Sequence, residues 1–318
     1  MTDNRLGINW EITKKCNLNC VYCRVYGGKE KKGELSFQEA KCIVDKLHQC
    51  GYSHLKFTGG EPLIKDYFWD LVKYAHEKDM LTSVFTNSTL ISKRVLPFFK
   101  KYISMVAISL DSLNEEHNMQ LGRTKSTVVI DHIKELRKIG ITVAISATVT
   151  KITLYDLSDL ASKAKELGVS EIKINDFVSD GRAHDNLKAL AFDTSFREVI
   201  PEIKKIIGKV FKEKITVENS FKCETDDRNL FINYKGDLYP CVELSYVSSK
   251  FKLGNFIIDD AEKMFSLNRN FYSQIQDDDL CAYSYFHSRH FSACVNRSQC
   301  PIRFMDYIKK ARASIHEN

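Results

Sequence analysis

Two hydrophobic periods take turns along this chain. Short runs rich in β-branched and aromatic residues recur at RLGINWEIT (5–13), HLKFTG (54–59), LTSVFTN (81–87), ISMVAISLD (103–111), ITVAISATVT (141–150) and SEIKIN (170–175), and each reads as a strand. The stretches between them, near 36–50, 65–79, 92–101, 126–139 and 156–167, place apolar residues three and four positions apart, the pattern of amphipathic helices. Such alternation predicts an α/β fold with a parallel sheet of β/α units. Ser36, three residues before Glu39, predicts a capping box. Gly140 and Gly168 each stand between a helix and a strand, where a left-handed cap residue is wanted. Six strands are too few to close a barrel, so the expectation is a partial (β/α)6 TIM-like barrel, open at one side.

Composition adds limits. With 318 residues and 43% hydrophobic content the chain can bury a large core, and one barrel over 1–215 with a smaller domain over 216–318 is the expected division. Lys and Arg outnumber Asp and Glu by 47 to 41, spread along the chain apart from KEKK at 29–32, which describes a solvated surface and no nucleic-acid footprint. The sequence has neither a signal-peptide pattern nor a long apolar run, so the expected place is the cytoplasm with no membrane partner. Ten cysteines in that compartment read as metal ligands, since thiols there stay reduced.

The cysteines are not scattered. KKCNLNCVYC, 14–23, sets Cys16, Cys20 and Cys23 in a C-x3-C-x2-C pattern after the first strand. Three thiolates on one loop can hold three corners of a 4Fe-4S cube and leave one iron open for chemistry. FTGGEPL (57–63) follows the second strand and SLD (109–111) ends the fourth, and a β/α barrel gathers such strand-end segments at one mouth. In this order the motifs resemble the radical S-adenosylmethionine (radical SAM) superfamily. The resemblance implies a SAM-binding 4Fe-4S cluster on Cys16, Cys20 and Cys23, with SAM cleaved to methionine and a 5'-deoxyadenosyl radical.

The resemblance also implies roles. Gly59 and Gly60 would let backbone approach a ligand, Glu61 would accept from the SAM amino group, and Pro62 would open the next helix; the bland alternative is a plain strand-to-helix turn. Tyr22 would lie against adenine or serve as a core tyrosine. Ser109, Asp111 and Asn87, polar residues at strand ends, would reach SAM or cap turns. Arg123 would pair with the SAM carboxylate through its planar fork. Cys42 and Cys50 lie on the first helix, and Cys50 shares a face with Ile43 and Leu47, as a buried structural thiol does.

After a Lys-rich helical segment near 193–213, CETDDRNLFINYKGDLYPC places Cys223 and Cys241 around a hairpin with a YKGD turn. This resembles the C-x12-G-x4-C element of SPASM and twitch extensions. Cys281, Cys294 and Cys300 follow, with Phe291 and Phe304 where a full SPASM domain has cysteines. Five thiols cannot hold two such clusters, so one auxiliary 4Fe-4S cluster is expected on Cys223, Cys241, Cys294 and Cys300, with Cys281 as competitor. Zinc is the alternative, though C-x2-C pairs are absent there. His287 and His290 read as surface residues.

The resemblance implies hydrogen abstraction from a ribosomally made peptide, leading to a cross-link, a thioether or an epimer. Dehydrogenation or epimerisation of a sugar or aminoglycoside is the alternative, and a non-catalytic iron-sulfur electron carrier is the alternative of another class. The first strand begins near Met1, which leaves no room there for a leader-binding domain. A molybdopterin-type GTP cyclase would end in Gly-Gly, and this chain ends SIHEN. The expected partners are a peptide or small-molecule substrate and an electron donor such as ferredoxin or flavodoxin. Cys281, if free of a cluster, would be a catalytic hydrogen donor to a substrate radical.

Overall fold

The computed structural model describes residues 6–175, 177, 181–194, 196–211, 214–218, 230–247 and 249–273. The barrel order is β1 (Gly7–Thr13), α1 (Phe37–Gln49), β2 (His54–Gly59), α2 (Phe68–His76), β3 (Leu81–Thr86), α3 (Leu96–Tyr102), β4 (Met105–Ser109), α4 (Glu115–Gln120), α5 (Ser126–Lys138), β5 (Thr142–Thr148), α6 (Leu157–Glu166) and β6 (Glu171–Asn175). Then come α7 (Arg182–Asp185), α8 (Leu187–Leu190), α9 (Phe196–Gly208), β7 (Lys214–Glu218), β8 (Phe231–Ile232), β9 (Asp237–Tyr239), α10 (Val242–Val247), β10 (Gly254–Asn255) and α11 (Ala261–Ser273). Each expected strand is present, and Ser36 and Glu39 form the reciprocal capping box.

The strands form one sheet in the order β10-β9-β8-β1-β2-β3-β4-β5-β6-β7. β1 to β7 are parallel neighbours in chain order, and β8 lies parallel to β1 on its other side before turning back through β9 and β10. The sheet therefore continues beyond six strands. KITVE, which follows the expected Lys-rich helical segment and is not read as a strand from sequence, is the seventh parallel strand, and the division after residue 215 falls inside it. The YKGD hairpin forms as expected: Asn233 Oδ1 accepts from the N–H groups of Lys235 (2.9 Å) and Asp237 (3.0 Å).

Alternation along the strands sorts the two faces. Ile8, Trp10 and Ile12 of β1, like Ile172 and Ile174 of β6, belong to the core between sheet and helices. Trp10, Phe57, Phe68, Trp69 and Phe99 link β1, β2, α2 and α3 through ring contacts of 5.0 to 5.7 Å between centroids. Full burial of each such ring is worth about 1.5–3 kcal/mol. The residues between them in sequence, among them Glu11, Ser146 and Lys173, face the concave side and are mostly polar. The apolar face fixes the barrel wall, and the polar face is left to line its lumen.

Candidate active site

The loop after β1 is closed by backbone alone. Cys16 N–H donates to Gly28 C=O at 2.7 Å and Gly28 N–H to Lys14 C=O at 3.0 Å, so residues 14–28 form a tied loop. Beneath it lies the end of β2. Gly60 N–H reaches Thr13 C=O (2.8 Å) and Glu61 N–H reaches Lys15 C=O (2.8 Å). A Cβ on Gly60 would stand 2.3 Å from Lys15 O and one on Gly59, at φ +144°, 2.3 Å from Thr13 O. The glycine pair thus permits close contact between two backbones. Glu34 braces the same base: it accepts from Thr13 Oγ1 (2.8 Å) and Lys14 N–H (3.0 Å) and pairs with Lys65 Nζ at 2.8 Å.

A second clamp comes from the far side. Gly181, at φ +59°, precedes α7, and a Cβ there would lie 2.4 Å from the carbonyl oxygens of Cys23 and Arg24. Next to it Arg182 donates through its backbone N–H to Cys23 C=O (3.0 Å), through Nε to Cys20 C=O (2.8 Å) and through Nη1 to Gly27 C=O (2.8 Å). Asn186 Nδ2 adds a bond to Val21 C=O at 3.1 Å. Reading of the sequence misses Gly181, Arg182 and Asn186. The one signal it holds for them is the polar stretch GRAHDN after the sixth strand, at the same end of the sheet as the other motifs.

The three thiols are free and sit together under these clamps. A Cβ on Gly27 would meet Cys16 Cβ at 3.2 Å and Cys23 Sγ at 3.6 Å. N–H groups point at each sulfur: Leu18 at Cys16 (3.4 Å), Gly27 at Cys23 (3.4 Å) and the Arg123 guanidinium at Cys20 (3.4 Å). Burial pushes the Cys16 thiol up, and the charges of Glu61, Cys20 and Cys23 push the same way. A metal cluster supplies the positive charge this trio lacks, so the donor set fits a 4Fe-4S cube. Each thiolate of such a cube binds a different iron. Accordingly, among the described residues no group of Cys, His, Asp and Glu gathers as it would around one ion.

Facing the loop is a narrow crevice, too tight to admit a water molecule, lined in part by Asn87, Ser109, Asp111, Asn118 and Arg123. Four of the sequence-predicted ligand residues, Asn87, Ser109, Asp111 and Arg123, meet here. Glu61 is turned inward and fully buried, its Oε1 accepting from Thr86 Oγ1 (2.8 Å) and Leu63 N–H (3.1 Å) and its Oε2 from Asn87 N–H (2.8 Å). Burial raises its pKa to about 7. It caps the short 3-10 turn that Pro62 opens and fixes Asn87. Asn87 in turn donates to Asn17 Oδ1 at 3.0 Å.

Asp111 is equally committed. Its Oδ1 accepts from Thr148 N–H (2.9 Å), and its Oδ2 accepts from Arg123 Nε (2.9 Å) and from the Tyr22 hydroxyl. Burial first, and the Asp111 charge with it, keeps the Tyr22 phenol protonated. The Arg123 guanidinium lies 5.7 Å from the centre of the Tyr22 ring, so that ring is bound into the wall. Ser109 lines the recess with no such commitment.

Of the expected auxiliary ligands, Cys241 is described: it precedes α10, and its sulfur accepts from Leu244 N–H at 3.5 Å. Cys223, Cys281, Cys294 and Cys300, with His287 and His290, lie outside the described residues. Cys50 ends α1 half-buried against the core, its thiol pushed up by burial.

The model of the radical SAM superfamily matches residues 10–173, more than half of the 318. The chain belongs to the radical SAM superfamily. Members of that family use a 4Fe-4S cluster and SAM, and the thiol trio suits the cluster. Among curated proteins it is similar to the antilisterial bacteriocin subtilosin biosynthesis protein AlbA of Bacillus subtilis (29% identical over 272 residues; 82% of this chain, 59% of that one). It is also similar to the mycofactocin maturase MftC of Mycolicibacterium smegmatis (32% over 187 residues; 58% of this chain, 47% of that one). The chain thus spans about half the length of the curated relatives it matches. Among solved structures, Streptococcus suis SuiB bound to S-adenosylmethionine aligns with a TM-score of 0.68 at 18% identity, over 81% of this chain and 65% of that one. That likeness supports the radical SAM partial-barrel fold. Among the described residues no helix is long and apolar enough to cross a membrane.

Proposed function

We propose that this chain is a radical SAM enzyme that takes a hydrogen atom from a residue of a ribosomally made peptide. The observation that carries the reading is the loop of Cys16, Cys20 and Cys23 clamped beside a polar recess. Relatives named for bacteriocin biosynthesis and mycofactocin maturation support the substrate class. When bound, the cluster and SAM supply one-electron cleavage to a 5'-deoxyadenosyl radical, a hydrogen abstractor that no side-chain acid or base can replace. The chain's own residues do the positioning. Arg182 and Glu34 hold the loop, Arg123 and the Leu18 and Gly27 N–H groups stabilise thiolate charge, and Asn87, Ser109 and Asp111 shape the recess.

The auxiliary cluster belongs to the same proposal, with Cys241 at its described corner and ferredoxin or flavodoxin as the electron donor. Iron and sulfide counts after anaerobic reconstitution test it. The wild type should hold about eight irons and the Cys16/Cys20/Cys23→Ala variant about four, with 5'-deoxyadenosine lost. About four falling to none would remove the auxiliary cluster. An epimerase type predicts that Cys281→Ala still makes 5'-deoxyadenosine and no longer makes epimerised product. Unchanged product would leave an oxidative cross-link or thioether reaction as the type.

A further inference from the structure

We propose that the β5–β6 wall of the lumen is an anion subsite, where Lys173 and Ser146 hold a carboxylate of the substrate close to the carbon attacked. This rests on the peptide-modifying reading above and narrows it to peptides with a carboxylate near the reacting residue.

Lys173 lies between Ile172 and Ile174, both in the core on the helix side, so its side chain faces the lumen. Its ammonium stands 5.3 Å from the centre of the Phe85 ring. Phe85 is on β3, three strand spacings from β6, or about 14 Å along the sheet. The two side chains meet only because the sheet curls, and they reach across the lumen. Ala107 and Ala144 hold the register positions beside Phe85 on β4 and β5 and are short enough to leave that crossing open.

Among the described residues the Lys173 ammonium has no ion-pair or hydrogen-bond partner. A ring face gives a lysine roughly 0.5–1 kcal/mol at exposed sites, and it leaves the three N–H donors unused. Beside it, Ser146 is in direct register with Lys173. Asn175 Nδ2 donates to Ser146 Oγ at 2.8 Å, which leaves the serine's own proton free to donate. Lys173 and Ser146 therefore present donors with a fixed polarity, the complement of a carboxylate.

Position links this pair to the reaction. Ser146 is also in register with Ser109, which lines the recess, so Lys173 stands two strand spacings, about 10 Å, from that residue. Among acids with described side chains, Asp111 is already matched by Arg123 and Tyr22. Glu218 of β7 holds the register position beside Asn175. Glu171 shares the face of Lys173 but lies two residues toward the N-terminal end of the strand, about 7 Å away.

The test uses reconstituted, SAM-loaded protein and calorimetric titration with three probes: N-acetylglutamate α-amide, N-acetylglutamine α-amide and N-acetylglycine. The glutamate probe should bind at least about tenfold more tightly than its uncharged glutamine analogue, the worth of one charged hydrogen bond. Lys173→Met, which keeps the apolar stem, should abolish the difference, and Lys173→Arg should retain it. Tighter binding of N-acetylglycine would identify a chain-terminal carboxylate as the source, and tighter binding of the glutamate probe an acidic side chain. Equal binding of acid and amide, or no binding of either carboxylate at millimolar concentration, overturns the subsite. If the same wild-type sample contains its iron and forms 5'-deoxyadenosine, such a failure leaves the enzymatic reading standing; without them the enzymatic reading fails first.

Discussion

On the β1–β4 side of the mouth, Glu61, Asn87, Asp111 and Arg123 each hold a protein partner. On the β5–β6 side, Lys173 and Ser146 present donors that meet no acceptor among the described residues. The first side is a frame in which these four groups are already satisfied, while Glu11 Oε1 on β1 is buried with no hydrogen-bond partner among the described residues, so the four can fix a loop and a recess before any ligand arrives. The second is the wall that the proposed ligand would complete. Preorganisation suits a cofactor that every turnover uses, and an unsatisfied wall suits the variable partner. If this contrast is right, substitutions on the frame should cost fold and cluster, and those on the wall should cost neither.

The largest effect is expected at Gly60. Its absent Cβ would lie 2.3 Å from Lys15 O and 2.7 Å from Lys14 O, backbone atoms that cannot swing aside. Gly60→Ala should therefore displace the cluster loop, with a loss of several kcal/mol, roughly the cost of overpacking at a rigid contact. Urea unfolding together with iron content reads both consequences. A variant with wild-type midpoint and iron would show that the frame yields.

Arg182 comes next. Arg182→Ala removes charge-assisted bonds to the carbonyls of Cys20 and Gly27, each worth about 1.5–3 kcal/mol. The expected outcome is a sharp fall in iron bound at Cys16, Cys20 and Cys23 under competition by a chelator, with unfolding less affected. Arg182→Lys should recover part of it, since lysine keeps the charge and not the fork. Iron retention equal to wild type in the alanine variant would assign Arg182 a merely local role.

Much of this frame is legible in sequence and its duties are not. The strands are readable because each apolar run faces helices, and the cysteine spacing, GGEP and SLD stand at strand ends that a parallel sheet brings together. What spacing does not carry is direction. Spacing places Glu61 at a strand end but does not name the partners it meets, Thr86, Leu63 and Asn87, since a strand-end carboxylate can turn either way. β7 escapes notice because KITVE is short, alternates polar with apolar residues and follows a Lys-rich helix. Arg182 escapes notice because its contact with Cys20 spans 162 residues of chain, a separation that local pattern does not encode.

A smaller effect, on stability against pH, is expected from Glu11. This lumen-facing carboxyl is 1% exposed and its pKa rises to about 7 through burial, with the Lys14 charge pulling the other way. A folded pKa above the unfolded value means stability that is full below about 4.5 and is lost as pH climbs through 7. For one such group the loss between about pH 6 and 8 is about 1 kcal/mol. Glu11→Gln should flatten that part of the curve, measured by urea midpoints under reducing conditions. An identical slope in the variant would mean that Glu11 stays ionised in the fold.

The smallest effect is the one that most sharpens the contrast. Ser146→Ala removes one hydrogen bond from the wall, the 2.8 Å link to Asn175, and Asn175→Ala removes that link and a long 3.4 Å bond to Ala147 C=O. Both residues are only partly buried, so water can take up the partner left behind and the expected change in stability is within about 0.5 kcal/mol. Iron content should also match the wild type, because neither residue touches the clamped loop. Urea midpoints and iron counts on the two variants are enough. Should either variant lose iron as Arg182→Ala does, the wall would be part of the frame, and the division between a satisfied side and an expectant side would fail.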